Sequence, residues 1–236
     1  MNQILITEKI YVTPELKKKK RIYQVAFIVS IICIALLSSY YIYAEYDRNK
    51  SEEISQQILS EIDNTTIQRD DGILRVILND NDQTEGTLAE ENTEVTPNNQ
   101  YVASNGKTYT IDATLTIPSL GINYPVLTET SEQLLKISLN KFWGPSPNEV
   151  GNYCIVGHNY TNKKMFGKLA EIKNGDVVEM TDTYGKKVSY SVYNKYVVEP
   201  EDVSCTSQLT NGNREVTLIT CTNHGKQRLV VKAREI

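Results

Sequence analysis

Three residues in the C-terminal half of the chain have the types that cysteine-based acyl transfer requires: His158, Cys221 and Arg228. A cysteine nucleophile needs a neighbouring imidazole or cation that holds it as the thiolate or protonates its leaving group. The chain has only 2 histidines, His158 and His224, so few pairings are possible. Arginine stays protonated in proteins, so Arg228 can stabilise an oxyanion or bind a carbonyl group but cannot act as a base.

The sequence around Cys221 predicts a hairpin that brings Arg228 beside it. Cys221 ends the strand-like run EVTLIT, and a turn at 222–225 separates it from Arg228, which opens the last strand. His158 follows another strand, in GNYCIVGHNY, where Gly157 permits close approach of the backbone. On these residues alone, a Cys–His–Arg site and a packed core that contains the same residues both remain open.

The other histidine, His224, and two other cysteines of the C-terminal half, Cys154 and Cys205, fit structural roles better. His224 lies in the turn and is expected to face solvent. Cys154 and His158 are four residues apart in a strand, which separates their Cα atoms by about 13 Å and excludes a dyad. Cys154 is therefore predicted to lie in the core, where free cysteines are common. Cys205 lies in a polar loop and is predicted to be an incidental surface or half-buried thiol.

The elements that must position these residues begin at about residue 101. Short runs with strand composition alternate with turn signals, and two helical segments are predicted at 131–137 and 164–172. The pattern predicts an antiparallel barrel or sandwich of about 130 residues. The predicted strands are 109–117, 122–127, 153–157, 177–180, 188–198, 216–220 and 229–233.

The N-terminal part of the chain predicts a membrane anchor. Residues 22–44 are uncharged and mostly apolar, which is long enough for a helix to cross a hydrocarbon core of about 30 Å. The basic run 17–21 precedes this segment and acidic residues follow it, so the N-terminus is expected in the cytoplasm and the rest outside. A cleaved signal peptide is the alternative, but the apolar run is long for one and lacks a clear cleavage site.

The segment between the anchor and the strand-rich region is acidic. Ile54, Ile58 and Ile62 have helical spacing, which predicts a short membrane-proximal helix. Residues 79–100 have no aromatic and few apolar side chains, which predicts a flexible stalk. The formal net charge is −4 and no basic face stands out, so nucleic acid is excluded as an expected partner.

Four stretches together resemble a sortase, one of the membrane-anchored cysteine transpeptidases of Gram-positive cell surfaces: GNYCIVGHNY, FGKLAEIKNGDVVEM, VTLITC and GKQRLVVKARE. The family's histidine in a Gly-His context, its T-L-x-T-C strand and its strand-opening arginine fall on His158, residues 217–221 and Arg228. The resemblance implies an all-β fold, a closed eight-stranded sortase-type barrel with short connecting helices, preceded by one transmembrane helix. No Asp-Pro-aromatic lid of the pilus-assembling type is present, which favours a housekeeping (class A)-like or a clostridial class D or B-like member.

The resemblance also implies roles for individual residues. Cys221 would attack the Thr–Gly carbonyl of an LPXTG-like sorting signal, His158 would protonate the leaving amine, and Arg228 would hold the substrate and its oxyanion. Thr220 would lie beside the substrate groove. The thioacyl intermediate would pass to an amine acceptor on a peptidoglycan precursor, so the implied partners are surface proteins that carry sorting signals, that precursor and the membrane.

The implied organisation has four parts: a cytoplasmic tail at 1–21, a transmembrane signal anchor at 22–44, an acidic membrane-proximal segment and stalk at 45–100, and an extracellular catalytic domain at 101–236. No cofactor is expected. Glu199, Glu201 and Asp202 lie in a loop that binds calcium in some members, but three loop carboxylates are commonly just solvated, so no metal is predicted.

Two other classes of protein fit some of the same features. An L,D-transpeptidase also uses cysteine, histidine and arginine on a β-rich external domain, but its histidine and cysteine lie close together in one motif, unlike His158 and Cys221. A non-catalytic anchored surface domain, which binds or senses a ligand, would instead have a buried and unreactive Cys221.

Overall fold

The computed structural model describes residues 14–70 and 99–236 of the chain. Most of the predicted stalk at 79–100 therefore lies outside the described residues. The chain separates into two compact units, Met1–Asn49 and Lys50–Ile236. The candidate catalytic residues all belong to the second unit.

The first unit contains most of the apolar part of helix α1, Pro14–Asp70. Within the described ranges, one helical stretch, Lys17–Ile62, is long and apolar enough to cross a membrane by length and composition. Its apolar side chains are exposed, for example Phe27 and Leu37. The anchor predicted at 22–44 falls inside this stretch, while its insertion and its orientation stay predictions.

The second unit is built on a closed sheet. Among the described residues, nine strands occur in the order β1-β2-β3-β4-β5-β8-β9-β7-β6, and β6 pairs back onto β2. Strands β2 to β9 therefore close into the eight-stranded barrel that was expected, and β1 extends it by one short strand. The strands are β1 Gln100–Val102, β2 Thr108–Ile117, β3 Ile122–Leu127, β4 Leu139–Trp143, β5 Gly151–Val156, β6 Val177–Asp182, β7 Lys187–Val198, β8 Arg214–Thr222 and β9 Gln227–Glu235, with helix α2 at Glu132–Ile137.

The sheet differs from the predicted antiparallel arrangement in two of its pairings. β3 runs parallel to β4 and β5 runs parallel to β8. Hydrophobic alternation along a strand specifies which residues face inward, but it does not specify the direction of a partner that is distant in sequence. The antiparallel prediction was therefore wrong for these two pairs.

The predicted helix at 164–172 is also wrong, since only a single 3₁₀ turn forms there, at Leu169–Glu171. Lys163 and Met165 have φ values of 67° and 49°, in the left-handed region that a right-handed helix cannot contain. The predicted helix at 131–137 is confirmed, and the Ser131 side chain caps it by accepting a hydrogen bond from the backbone N–H of Leu134.

Alternation along β8 divides the packing into an inner core and an outer layer. Val216 and Leu218 point into the main core, where they meet side chains such as Ile155 and Phe166. Ile219 points the other way and packs with Val230, Cys205 and other residues on the outside of the barrel. The loop between β7 and β8 contributes Cys205 to this outer layer. The outward-facing residues of β8, which include Cys221, thus lie on the outer face.

The last part of α1 packs on the barrel. Ile54 and Ile58 are buried in a second cluster with Tyr109, Ile111 and Leu127. The isoleucine spacing correctly predicted helical structure here, but the prediction of a separate short helix was wrong, because α1 is continuous from Pro14 to Asp70. Residues 50–62 of α1 are therefore part of the same compact unit as the catalytic candidates.

Candidate active site

The parallel register of β5 and β8 brings His158 level with Cys221. The last ladder pair joins Val156 to Ile219, and the backbone N–H of Gly157 then donates to the Ile219 carbonyl oxygen at 3.2 Å. Beyond the end of β5, the Asn159 side-chain amide donates to the Cys221 carbonyl oxygen at 2.9 Å. His158 lies between Gly157 and Asn159 in sequence, so the segment that follows β5 stays alongside β8 through His158.

The antiparallel register of β8 and β9 pairs Cys221 directly with Arg228. The hairpin predicted from the sequence is confirmed. Residues paired across neighbouring strands point to the same face of a sheet. Cys221 and Arg228 therefore point to the same face of the barrel, and His158 leaves β5 close to the Cys221 backbone, which its neighbour Asn159 contacts.

The backbone around Gly157 leaves no room for a side chain. A Cβ atom at this position would lie 2.4 Å from Leu139 Cδ2 and 2.9 Å from Phe166 Cδ2. Both of these side chains are fully buried. The glycine before His158 thus lets the chain pass close to the core as it leaves β5, as the sequence predicted.

His158 is half-buried, with its ring centroid 5.0 Å from that of Tyr160. Its carbonyl oxygen accepts a hydrogen bond from the backbone N–H of Phe166 at 3.0 Å. Burial lowers the pKa of His158 below its usual value, and the positive charge of Lys136 on α2 lowers it further. The neutral imidazole, which can accept a proton, is therefore favoured near neutral pH.

Cys221 is the cysteine of the barrel unit that solvent can reach. It is half-buried, whereas Cys154 and Cys205 are both buried. Burial raises the pKa of Cys154 to about 12, so this thiol stays protonated and inert. The core prediction for Cys154 is confirmed, but Cys205 is more deeply buried than predicted, because the outer layer of the barrel covers it.

Arg228 is half-buried beside the turn that joins β8 to β9. Its Nη1 donates hydrogen bonds to the carbonyl oxygens of Gly225 at 2.9 Å and Gln227 at 3.1 Å. These bonds hold part of the guanidinium against the turn. His224 lies on that turn with a left-handed φ of 54° and is exposed, as predicted.

Thr220 is buried, and its hydroxyl donates to the Gly157 carbonyl oxygen at 2.7 Å. This contact fixes the segment that leads to His158, and contact of Thr220 with a substrate stays a prediction. In the acidic loop for which no metal was predicted, Asp202 accepts from the backbone N–H of Ser204 and Glu199 accepts from Gln227. No cluster of three or more histidine, cysteine or acidic residues in the described ranges is arranged to hold a metal.

Two asparagines were missed by sequence reasoning: Asn159 beside the site, and Asn152 near the start of β5, away from the site. Asn159 contacts the Cys221 backbone, and only its position next to His158 could have drawn attention to it. Asn152 is fully buried, accepts from the Thr217 hydroxyl and donates to the Cys205 carbonyl oxygen, which fastens the β7–β8 loop over the outer layer. A polar residue inside an otherwise apolar strand was the available signal for Asn152.

A family model describing the sortase domain matches residues 115–236, more than half of the chain. The chain belongs to the sortase family. Sortases are cysteine transpeptidases, and the matched region of this sortase contains all three candidate catalytic residues.

Individual relatives agree with the family assignment. Sortase A from Bacillus anthracis is 30% identical to this sortase over 113 residues, which are 45% of this chain and 50% of that protein. The match thus spans half the length of this curated relative. In structure, Sortase A from Corynebacterium diphtheriae has a TM-score of 0.50 at 26% identity and covers 54% of this chain and 61% of its own.

Solved sortases of other classes are equally similar. A Clostridium perfringens Sortase D5 transpeptidase has a TM-score of 0.50 at 27% identity, covering 54% of this chain and 79% of that one. Sortase C-1 from Actinomyces oris has a TM-score of 0.50 at 28% identity, covering 53% of this chain and 74% of that one. These values are too close to distinguish the classes, so the class of this sortase stays a prediction.

Proposed function

We propose that this protein is a membrane-anchored transpeptidase that cleaves an LPXTG-like sorting signal between threonine and glycine and transfers the surface protein to an amine acceptor on a peptidoglycan precursor. The observation that carries the proposal is the direct pairing of Cys221 with Arg228, together with the contact that Asn159, next to His158, makes with the Cys221 backbone. A nucleophile, a proton carrier and a fixed cation are the groups that acyl transfer through a thioester needs.

The proposed reaction has two steps with balanced protons. Neutral His158 takes the proton of the Cys221 thiol as the sulfur attacks the threonine carbonyl carbon, and it gives this proton to the departing glycine amine as the thioester forms. The acceptor amine then attacks the thioester, neutral His158 takes its extra proton, and this proton returns to the Cys221 sulfur as it leaves. Arg228 binds the carbonyl oxygen and stabilises the negative charge that develops on it in both steps.

The proposed location is the cell membrane, with a cytoplasmic tail at 1–21, a single span at 22–44, an acidic membrane-proximal segment and stalk at 45–100 and an external catalytic domain at 101–236. The apolar part of α1 and the basic run before it support this arrangement. Protease added to intact protoplasts should remove the catalytic domain. Survival of the domain while other surface proteins are digested would show the opposite orientation.

The reaction is tested with the full-length protein in detergent, an LPXTG-type peptide and a small amine. Mass spectrometry should detect a peptide acyl group on Cys221 and an amine-capped peptide product. Cys221→Ala should abolish both signals, and the matched control Cys205→Ala should retain them. A folded wild-type protein that forms neither acyl-enzyme nor product with a panel of sorting-signal peptides would contradict the proposal.

A non-catalytic surface domain is the competing reading, and it required a buried and unreactive Cys221. The partial exposure of Cys221 favours the enzyme. Labelling with a thiol reagent separates the two directly, because the enzyme should be modified at Cys221 much faster than at the buried Cys154.

A further inference from the structure

The hydroxyl of Tyr124 on β3 joins two parts of the molecule that are distant in sequence. It donates a hydrogen bond to the Glu52 carboxylate on α1 at 2.8 Å. It accepts one from the backbone N–H of Met165, in the loop between β5 and β6, at 3.1 Å. The hydroxyl therefore donates one hydrogen bond and accepts another, which uses both its donor and its acceptor capacity.

The loop that contacts Tyr124 is the loop that carries His158. The backbone N–H of Phe166, the residue after Met165, donates to the His158 carbonyl oxygen at 3.0 Å, and Asn159 forms an isolated β-bridge with Met165. The backbone N–H of Met165 thus ties the loop to Tyr124 on the barrel, and the next N–H, that of Phe166, ties it to the backbone of His158.

The backbone of Met165 has a strained conformation that its neighbours must stabilise. Its φ of 49° lies in the left-handed region, which a non-glycine residue adopts at an energetic cost. Its side chain is buried, so its backbone N–H has little access to water if the Tyr124 hydroxyl is removed. Loss of the hydroxyl therefore releases a strained backbone from its partner.

The tyrosine hydroxyl is not explained by core packing. The ring of Tyr124 belongs to the main apolar core, which a phenylalanine ring would fill equally well. Burial raises the pKa of Tyr124 above its usual value, so the hydroxyl keeps its proton and remains a donor to Glu52. Glu52 also accepts from Gln56 at 3.1 Å, which orients the carboxylate along α1.

We propose that Tyr124, held by Glu52, is a positioning residue for His158, and that the packed end of α1 thereby helps to set the geometry of the active site. The inference rests on the proposed function, because it assigns Tyr124 an effect on turnover through His158. Tyr124 acts on the loop backbone and Glu52 acts on the orientation of the Tyr124 hydroxyl.

The first test compares Tyr124→Phe with Tyr109→Phe in the full-length protein. Tyr109 is a matched control, since it is buried where α1 packs on the barrel and its hydroxyl accepts from Asn105, which is outside the loop. Amide hydrogen exchange of peptides covering 158–168 should be at least about fivefold faster in Tyr124→Phe, the effect of losing one buried hydrogen bond. Tyr109→Phe should leave exchange of these peptides unchanged.

Kinetics on a sorting-signal peptide give the second readout. Tyr124→Phe should lower kcat about tenfold or more with little change in KM, because a displaced imidazole impairs proton transfer and leaves peptide binding intact. Glu52→Ala should give a smaller loss of kcat, and Glu52→Gln should restore most of it, since glutamine keeps an acceptor oxygen for the hydroxyl. The control Ser55→Ala removes another α1-to-barrel hydrogen bond, to Ser138, and should leave kcat unchanged.

Two results would overturn the inference: unchanged exchange at 158–168 in Tyr124→Phe, or faster exchange with kcat equal to that of Tyr109→Phe. Failure of the proposed function would look different. If His158→Ala turned over as fast as the wild type, the role of His158 would be wrong, and the exchange comparison would still decide whether Tyr124 holds the loop.

Discussion

The hydroxyl of Thr220 donates a hydrogen bond to the carbonyl oxygen of Gly157, 2.7 Å away. The residue before the proposed nucleophile thus holds the residue before the proposed acid–base group. Strand β5 ends at Val156, so this side-chain bond continues the connection to β8 where the strand ladder has stopped. The spacing between His158 and Cys221 therefore depends on the contact between Gly157 and Thr220, the residues that precede them.

Replacing Thr220 by valine should test this connection. Valine keeps the shape but leaves the Gly157 carbonyl without its donor, which should lower the free energy of unfolding by about 1–3 kcal/mol. Turnover should fall as well, because the segment leading to His158 loses an anchor. Thr220→Ser keeps the hydroxyl and is the matched control. Urea unfolding and peptide kinetics measure the two effects, and equal behaviour of the valine and serine variants would remove the hydrogen bond from the explanation.

Gly157→Ala should be more damaging than most glycine-to-alanine changes. The added methyl group would overlap the buried side chains of Leu139 and Phe166, and overpacking of this kind costs about 1–3 kcal/mol. We expect a lower unfolding midpoint and reduced kcat, since the shift displaces the backbone next to His158. A variant with wild-type thermal stability and turnover would show that the core absorbs the methyl group.

The two histidines should behave very differently on substitution. His158→Ala should lower kcat by about 10²–10⁴-fold, the usual contribution of general acid–base catalysis. His224→Ala should have a much milder effect, because His224 is exposed on the turn. Steady-state kinetics on the same peptide compare them. Matching losses in the two variants would mean that His158 is not the specific partner of Cys221.

Arg228→Lys keeps the charge but removes the planar guanidinium. Lysine offers one compact charge where arginine offers a fork of donors, so it cannot hold both the turn carbonyls and a substrate oxygen. We expect activity to fall by about 10²–10³-fold, as for loss of one oxyanion donor, with little change in thermal stability. Thiol labelling of Cys221 should persist. Near-normal transpeptidation would reduce Arg228 to a residue of the turn.

The lowered pKa of His158 makes stability depend on pH in a defined direction. The folded protein binds fewer protons at this imidazole than the unfolded chain does, so the free energy of unfolding should fall as pH drops through about 6.5. This effect should level off below the folded-state pKa. Lys136→Gln should raise the pKa of His158, because the Lys136 charge contributes to lowering it.

NMR titration of labelled histidine in a His224→Gln background, where His158 is the remaining imidazole, measures this pKa. Lys107→Gln is the control, since Lys107 is exposed on the β1–β2 hairpin and is not among the groups that shift His158. An equal shift in both lysine variants would point to net charge and not to Lys136.

The sequence predicted local features well and distant pairings less well. The bounds of β3 matched the prediction of 122–127, because both ends carry clear turn signals. Strand β4, Leu139–Trp143, was missed, since it is short, mixes polar with apolar residues and contains an irregularity between Lys141 and Trp143. The Cys221–Arg228 pair was predictable because a tight turn joins the two strands.

The other contacts of the site depend on the folded barrel. The parallel pairing of β5 with β8 joins residues that are distant along the chain, and nothing local in either strand specifies it. The same is true of Tyr124 and Met165, whose contact exists only once β3 and the β5–β6 loop lie side by side. Helical spacing predicted an apolar face around Ile54 and Ile58, but it did not name the surface that this face covers.

The pairing of β8 with both β5 and β9 has a consequence for the order in which the site forms. Strands β8 and β9 are neighbours in sequence and form a hairpin, whereas β5 and β8 are separated along the chain by β6 and β7. Closing contacts between segments so far apart in sequence is slow compared with forming hairpins. Cys221 and Arg228 are therefore expected to meet early in folding, and the alignment of β8 with the end of β5 is expected to be completed late.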